Sequence, residues 1–404
     1  MADGVQTLAQ TGGSFQEPDG GKVDSFGCRV APVKILFLVT EDWYFWSHRL
    51  SLARAARDAG FEVIVATRVG EYGDQIAREG FKLVPIGLLR RSHNPWRELR
   101  SIRELVRIYR TERPHLVHHV ALKPLLYGSL AAVFAGVPNV VNAIAGMGFV
   151  FNSSSGTARM LRPFVQRAFR LLLNRPCSRL ILQNPDDREM LVRARVLQPE
   201  RIVLIRGCGV DLNAFVPSPE PSGVALVALA SRMLWDKGVS EFVEAVRILQ
   251  RRNVLARFVL VGDSDPENLA AVPASQLRAW HDSGVVEWWG RRDDMPSVFA
   301  QANIVCLPSY GEGLPKVLIE AAACARPIVT TDAPGCREVV RQGENGLLVP
   351  ARDPQSLATA LQQLISSPSL RRRMGARGRE IAVAEFSEEK VVKETLSLYR
   401  ELLS

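Results

Sequence analysis

A chain of 404 residues, 47% hydrophobic and 23% charged, has room for two domains of ordinary size and the composition of a soluble globular protein. Its net charge of +9 gathers in two places, 90–113 with eight arginines to three glutamates and 153–179 with six arginines and no acid; no recognition motif accompanies either, so a nucleic-acid partner is set aside. The six cysteines form no C-x-x-C pair and no Cys/His cluster at zinc spacing, which argues against a structural metal and for a reducing, cytoplasmic setting.

Residues 1–31 mix glycine, polar residues and both charges without an apolar core, so they read as a disordered tail and not as a signal peptide or anchor. A buried strand over 33–40 follows, then a turn, a helix over 48–59 stopped by Gly60, and a strand over 61–66. Ser47, His48 and Arg49 stand at the start of that helix, close to where an acceptor or a phosphate would approach. An imidazole at a helix N-terminus has its charged form disfavoured, which suits a neutral hydrogen-bonding role, and simple capping is the alternative. The alternation continues through strands at 82–86, 116–120, 139–143, 180–182 and 202–205, a pattern that implies a doubly wound parallel sheet.

The longest apolar stretch, 125–151, contains Pro138, Asn139, Asn142 and several glycines, so strand and turn fit it better than a membrane-spanning helix. Within it Gly146 and Gly148 allow the backbone to come close to a ligand. In the second basic segment Phe164, Phe169 and Leu171 to Leu173 interleave with the arginines, giving an amphipathic face of the kind that lies on anionic membranes. The alternative is a solvated face whose arginine stems cover apolar surface.

A proline-rich run closes the first unit, with the linker placed at 211–223 between a domain over 32–210 and one that begins at 224. Strands at 224–229, 257–261 and 285–289 restart the alternation. Arg232 and Lys237 follow the first of these and precede a helix, so both point from a strand's carboxyl end toward a cleft, where two cations suit a diphosphate. Asp263 and Asp265 form a D-x-D, but acids after a strand commonly cap the next turn, and no metal site is assigned there. Cys306 and Cys324, in apolar surroundings, read as inert core.

The most informative stretch is 309–320, SYGEGLPKVLIE, between strands at 302–308 and 326–331. A strand, a Gly-rich turn, a helix and a strand make a βαβ unit, whose helix N-terminus offers unpaired N–H groups and partial positive charge to an anion. Glu312 in the loop can reach whatever is joined to a phosphate, and Glu320, two turns along the helix, can accept hydrogen bonds from a ribose diol. Together they suggest a nucleotide-sugar at the carboxyl end of a parallel sheet. A solvated helix with an exposed acid at each end is the plain alternative.

Residues 311–315 (GEGLP), Glu320, 326–332 (RPIVTTD) and 343–349 (GENGLLV) resemble the retaining glycosyltransferases of family 4, of the GT-B fold, and the likeness runs from about Lys34 onward. It implies two Rossmann-like α/β domains facing a cleft, the second ending near 385, and a terminal helix over 386–404 that crosses back onto the first. It also implies that Arg232 and Lys237 hold a pyrophosphate, and that Gly311, Gly313, Leu314, Lys316 and Val317 join Glu320 at the nucleotide-sugar. Arg291 would contribute mainly backbone contacts beside the base. His118, in a His-containing segment that lies at the cleft in similar enzymes, is preferred over its neighbour His119. His48 and Arg49 match a Ser-His-Arg of bacterial polysaccharide glycosyltransferases. Many such enzymes carry His where this chain has Ala145, a departure that leaves the sugar preference open.

The expected activity is transfer of a hexose or N-acetylhexosamine, with retention, from a UDP-linked donor to a polyprenyl-diphosphate-linked sugar or a growing surface polysaccharide. Uridine is chosen by family frequency. No cofactor and no metal are expected, and the enzyme would work in the cytoplasm, peripherally on the inner membrane face. The rival readings are a nucleotide-sugar epimerase of the same fold and a non-catalytic subunit of a polysaccharide assembly complex.

Overall fold

The computed structural model describes residues 32–90, 94–146 and 156–404. The tail expectation for 1–31 and the position of Gly148 lie outside the described residues.

Thirteen strands form two sheets among the described residues, and every paired strand is parallel to its neighbour. The first sheet holds β1 (Lys34–Glu41), β2 (Glu62–Arg68), β3 (Lys82–Pro85), β4 (Leu116–Val120), β5 (Asn139–Ala143), β6 (Ser178–Leu182) and β7 (Ile202–Leu204), in the order β3-β2-β1-β4-β5-β6-β7. The second holds β8 (Leu226–Ala230), β9 (Arg257–Val261), β10 (Glu287–Trp288), β11 (Ile304–Leu307), β12 (Ile328–Thr331) and β13 (Gly346–Val349), in the order β10-β9-β8-β11-β12-β13. In both, the order reverses beside the first strand, and that switch point is where open α/β sheets leave a crevice.

Helices cover both faces, so the strands are apolar on both sides. Along β1, Ile35, Phe37 and Val39 pack with the helices Leu50–Asp58 and Glu388–Leu403, while Leu36 and Leu38 pack with Pro95–Glu112 and Leu122–Ala135. The helix Glu388–Leu403 therefore belongs to the core of the first lobe, contributing Val391, Leu396, Leu398 and Tyr399. The two crossings between lobes run side by side: Val210 N donates to Phe386 O at 2.9 Å and Glu388 N to Val210 O at 3.1 Å. Arg371 and Asn303 bind the Glu220 carboxylate, which secures the proline-rich connection to the second lobe.

One element differs from expectation. In place of a single helix over 48–59, two helices, Asp42–His48 and Leu50–Asp58, meet at Arg49, whose backbone (φ −131°, ψ −8°) leaves the helical region. The Asp42 carboxylate accepts from Trp43 N, Gly70 N and Tyr72 N at 2.6–3.0 Å, tying the end of β1 to the loop after β2. His48 thus sits at a helix C-terminal end, and the helix-dipole argument for its neutrality does not apply.

Candidate functional site

The carboxyl ends of both sheets face each other across a cleft of about 920 Å³. The first lobe lines it with Glu41 and Asp42 from the end of β1, Arg68 from β2, Tyr72 and Arg90; the second with Arg232, Asp265, Arg291 and the first turns of the helix Lys316–Ala323. Of the residues singled out from sequence, His48, Arg232, Arg291, Lys316, Val317 and Glu320 line this space.

The loop between β11 and that helix is stitched from three sides. Tyr310 N donates to Asp236 O at 2.9 Å, Glu312 N to Pro334 O at 3.0 Å, and the Lys237 ammonium meets the Glu312 carboxylate at 2.5 Å. Gly238 makes this possible: its φ is +72° and a Cβ there would stand 2.1 Å from Pro308 O. Lys237 and Glu312 are not among the residues that line the cleft; each is engaged by the other and mostly buried.

Across the lobes, the buried Asn184 amide donates to Gly313 O at 2.9 Å and Glu312 O at 3.3 Å, while its Oδ1 accepts from Asp187 N at 2.8 Å. Burial pushes the Asp187 carboxyl up to about 6, against the hydrogen bond from Asn184. Gly146 and Gly313 meet directly, and a Cβ on Gly313 would stand 2.4 Å from Gly146 N. The close approach expected of Gly146 toward a ligand is therefore an approach to the other lobe's backbone. Leu314 is buried, with its Cδ2 3.1 Å from where a Cβ on Gly207 would lie, and Gly311 stays in the stitched loop.

At the helix start, Lys316 reaches Ser47 O at 2.9 Å in the first lobe and Glu320 at 3.5 Å in its own helix. Burial raises the Glu320 carboxyl, and the ammonium opposes this. Arg232 and Arg90, one from each lobe, share the Asp265 carboxylate at 2.9 and 3.2 Å. Arg291 donates to the Tyr72 hydroxyl at 2.9 Å, so its side chain spans the lobes as well.

Burial lowers the His48 imidazole to about 3, helped by Lys316, Arg49 and Arg232. It stacks on Tyr44 and pairs through Nδ1 with Ser47 Oγ at 2.6 Å. The neutral form expected from sequence is present, for a different reason. His118 and His119 point to opposite faces of the first sheet, as strand alternation requires. His119 is held by Tyr109, Asn142 and Ser129 inside the core. His118 stacks on Phe37 and bonds Tyr399 through Nδ1, so neither imidazole reaches the cleft; His118 lines a small recess next to it. Trp289 packs partly buried against the second lobe's core under Arg292.

Sequence reasoning missed Glu41, Asp42, Arg68, Tyr72 and Arg90 as cleft residues, and treated Asp265 only as a rejected metal ligand. The first three stand at strand carboxyl ends, which was a usable signal. The roles of Tyr72 and Arg90 depend on where loops go, which strand periodicity does not encode.

Comparison with known proteins covers both lobes. Residues 34–184 match the family described as glycosyl transferase 4-like, and residues 225–367 the family described as glycosyl transferases group 1. The N,N'-diacetylbacillosaminyl-diphospho-undecaprenol alpha-1,3-N-acetylgalactosaminyltransferase of Campylobacter jejuni is 26% identical over 380 residues, 91% of this chain and 98% of that protein. The UDP-Gal:alpha-D-GlcNAc-diphosphoundecaprenol alpha-1,3-galactosyltransferase of Escherichia coli is 25% identical over 279 residues, 66% of this chain and 70% of that one. Among solved structures, Anabaena Alr3699/HepE in complex with UDP superposes with a TM-score of 0.74 at 20% identity, covering 91% of this chain and all of that one. Sucrose-phosphate synthase from Thermosynechococcus elongatus does so with 0.74 at 21%, covering 92% and 99%. These likenesses identify the fold as GT-B.

Proposed function

Because the chain belongs to the hexosyltransferases that join a glycosyl transferase 4-like lobe to a group 1 lobe, we propose that it moves a hexose or N-acetylhexosamine from a UDP-sugar onto a polyprenyl-diphosphate-linked saccharide, with retention, in surface polysaccharide assembly. The observation that carries this reading is the cleft itself, in which Arg232, Lys316 and Glu320 stand together at strand ends and a helix start. The relatives named for diphosphoundecaprenol acceptors extend over most of both lobes and support the acceptor class.

In this reading the donor diphosphate lies against Arg232, Lys237 and the N-terminus of the helix Lys316–Ala323, whose positive groups stabilise the charge that grows on the departing nucleotide. Glu320 takes the ribose diol, with Gly311, Gly313, Leu314 and Val317 shaping the donor side, and the backbone near Arg291 meets the base. Glu312 positions the sugar and offsets developing positive charge at the anomeric carbon. In front-face displacement the leaving phosphate oxygen accepts the proton of the acceptor hydroxyl as the new bond forms, so no protein base is needed.

The first lobe would rest on the cytoplasmic leaflet. Among the described residues no helix is long and apolar enough to cross a membrane, yet Trp96, Met160, Phe164 and Leu171 are exposed on arginine-rich helices. Apolar side chains ringed by arginine suit an anionic interface.

A panel of nucleotide-sugars incubated with membrane extract, scored for released nucleotide and labelled lipid, tests the proposal. Label in lipid with one donor is expected. Nucleotide release at background with every donor and acceptor would sink it in favour of a non-catalytic role, and an epimer formed without acceptor would favour the epimerase.

A further inference from the structure

Beside the cleft, and sharing His48 with its wall, lies a recess of about 20 Å³ lined by Arg49, Ser51, His118, Cys208 and Thr395. That volume holds one water-sized group. Arg49 is 6% exposed and His118 is 1% exposed. Among the described residues Arg49 has no carboxylate partner: its Nη1 donates to His48 O at 3.1 Å and its Nε to nothing. A guanidinium held in the interior without a counter-ion is costly, and a chain that keeps one has a use for an incoming negative charge.

The second free group is Nε2 of His118, buried and unpartnered in a residue that lines the same recess. Its Nδ1 bonds the hydroxyl of Tyr399, which is itself wholly buried. If Nδ1 carried the proton, both the Tyr399 O–H and Nε2 would go unsatisfied; if Tyr399 donates, only Nε2–H is left. The economical tautomer therefore puts an N–H on the recess. Two N–H donors, one of them charged, are thus buried in residues that border a hole the size of one oxygen atom, whose wall Leu52, Ala143, Ile181, Ile205 and Val391 complete. Behind Arg49 the helix Leu50–Asp58 begins, adding the partial positive charge of its first turn.

We infer that this recess is an oxyanion subsite that takes one non-bridging oxygen of a phosphate ester, with Arg49 Nε–H and His118 Nε2–H as its donors and the Tyr399 hydroxyl as the group that fixes the imidazole. The inference rests on the proposed function only in naming the ester: the acceptor's diphosphate, held from the first lobe while the donor's diphosphate is held from the second. No bond is made or broken at the recess. Arg49 and His118 bind, and Tyr399 positions.

The test uses the full chain labelled with ¹⁵N-histidine and inorganic phosphate as the probe, with UDP present at saturation to fill the donor side. Phosphate should move the His118 side-chain resonances, identified by their absence in His118→Gln, and Arg49→Met should weaken phosphate binding at least about tenfold. Unmoved His118 signals, or equal phosphate affinity in Arg49→Met, would overturn the subsite whether or not any transfer activity is ever found. A second arm compares acceptors. With a short-chain prenyl-diphosphate sugar, Arg49→Met should raise the acceptor KM by at least about tenfold, whereas an alkyl glycoside should show less than a twofold change. Equal changes with both would remove the acceptor diphosphate as the occupant and leave free phosphate. A third readout separates binding from scaffolding: Arg49→Met should melt no lower than the parent protein, since it removes an unpaired buried charge. A fall of more than about 5 °C with phosphate affinity retained would make Arg49 a structural residue and end the proposal.

Discussion

The two lobes treat their charges in opposite ways. In the second, each cation assigned to the donor already faces a carboxylate: Arg232 meets Asp265, Lys237 meets Glu312, and Lys316 meets Glu320. In the first, Arg49 and His118 are buried with groups left over. A site supplied with internal counter-ions keeps its shape when empty and must exchange partners on binding. One without them depends on the ligand for its neutrality. The proposed donor side is thus preorganised, and the proposed acceptor side is electrostatically incomplete.

The largest effect expected from disturbing this contrast is on the donor side. Lys237→Ala and Glu320→Ala should each lower turnover by about a hundredfold or more, measured by nucleotide release, without unfolding the protein. Lys237→Ala removes a proposed diphosphate contact and leaves Glu312 mostly buried without its partner. Turnover at the parental level in both variants would contradict the donor assignment.

Next comes acid sensitivity, which should belong to the first lobe. Burial lowers the His119 imidazole to about 4, and His118 is also lowered, whereas His281 of the second lobe is exposed. An unfolded imidazole titrates near 6.5, so between that value and about 4 the unfolded chain binds more protons. The imidazoles' contribution is full above about pH 6.5 and falls as pH drops toward 4, by about 3 kcal/mol for His119, with His48 adding to the loss and the Asp187 carboxyl, raised to about 6, opposing it. Urea unfolding from pH 7 to 4.5 should show this slope, and His119→Gln should flatten it. Hydrogen exchange should place the acid-opened amides in β1, β4 and β5. Loss confined to the second lobe would reverse the comparison.

A smaller effect is expected where the lobes touch. Gly313 has no positive φ, so alanine is allowed there locally, but its Cβ would stand 2.4 Å from Gly146 N and 2.5 Å from Ala145 C. Gly313→Ala should part the lobes at this point and lower kcat/KM by about tenfold, an overpacking cost, with a measurable increase in small-angle scattering radius. Smallest of all, Asp265→Asn should free Arg232 for the donor and lower the donor KM by about two- to threefold, since a partly exposed ion pair contributes little. A rise in donor KM would mean that Asp265 holds Arg232 in place for the donor.

The fold was largely readable because parallel strands buried on both faces are short apolar runs with polar punctuation. β4, β5 and β9 fall on the residues that the pattern marks. The first helix was not readable: its break at Arg49 interrupts no apolar period, and it follows from Asp42 gathering three N–H groups of its own turn and the loop after β2. The residues proposed for the donor could be picked out because loop, helix and both glutamates are contiguous in sequence; of them Lys316, Val317 and Glu320 line the cleft. The partners that cross the cleft were not. Asn184 reads as an ordinary helix cap, which it is, and nothing in its neighbourhood announces that the same amide also holds the carbonyls of Glu312 and Gly313.

Tyr399 closes over His118 although the two are 281 residues apart in the chain. A ribosome making this protein releases the first sheet long before the wall that seals it exists, so the lobe begun earliest is completed after the other has had time to fold. Expressing the two halves as separate polypeptides should accordingly yield an N-terminal fragment that gains its native near-ultraviolet signal only when the helix Glu388–Leu403 is added back.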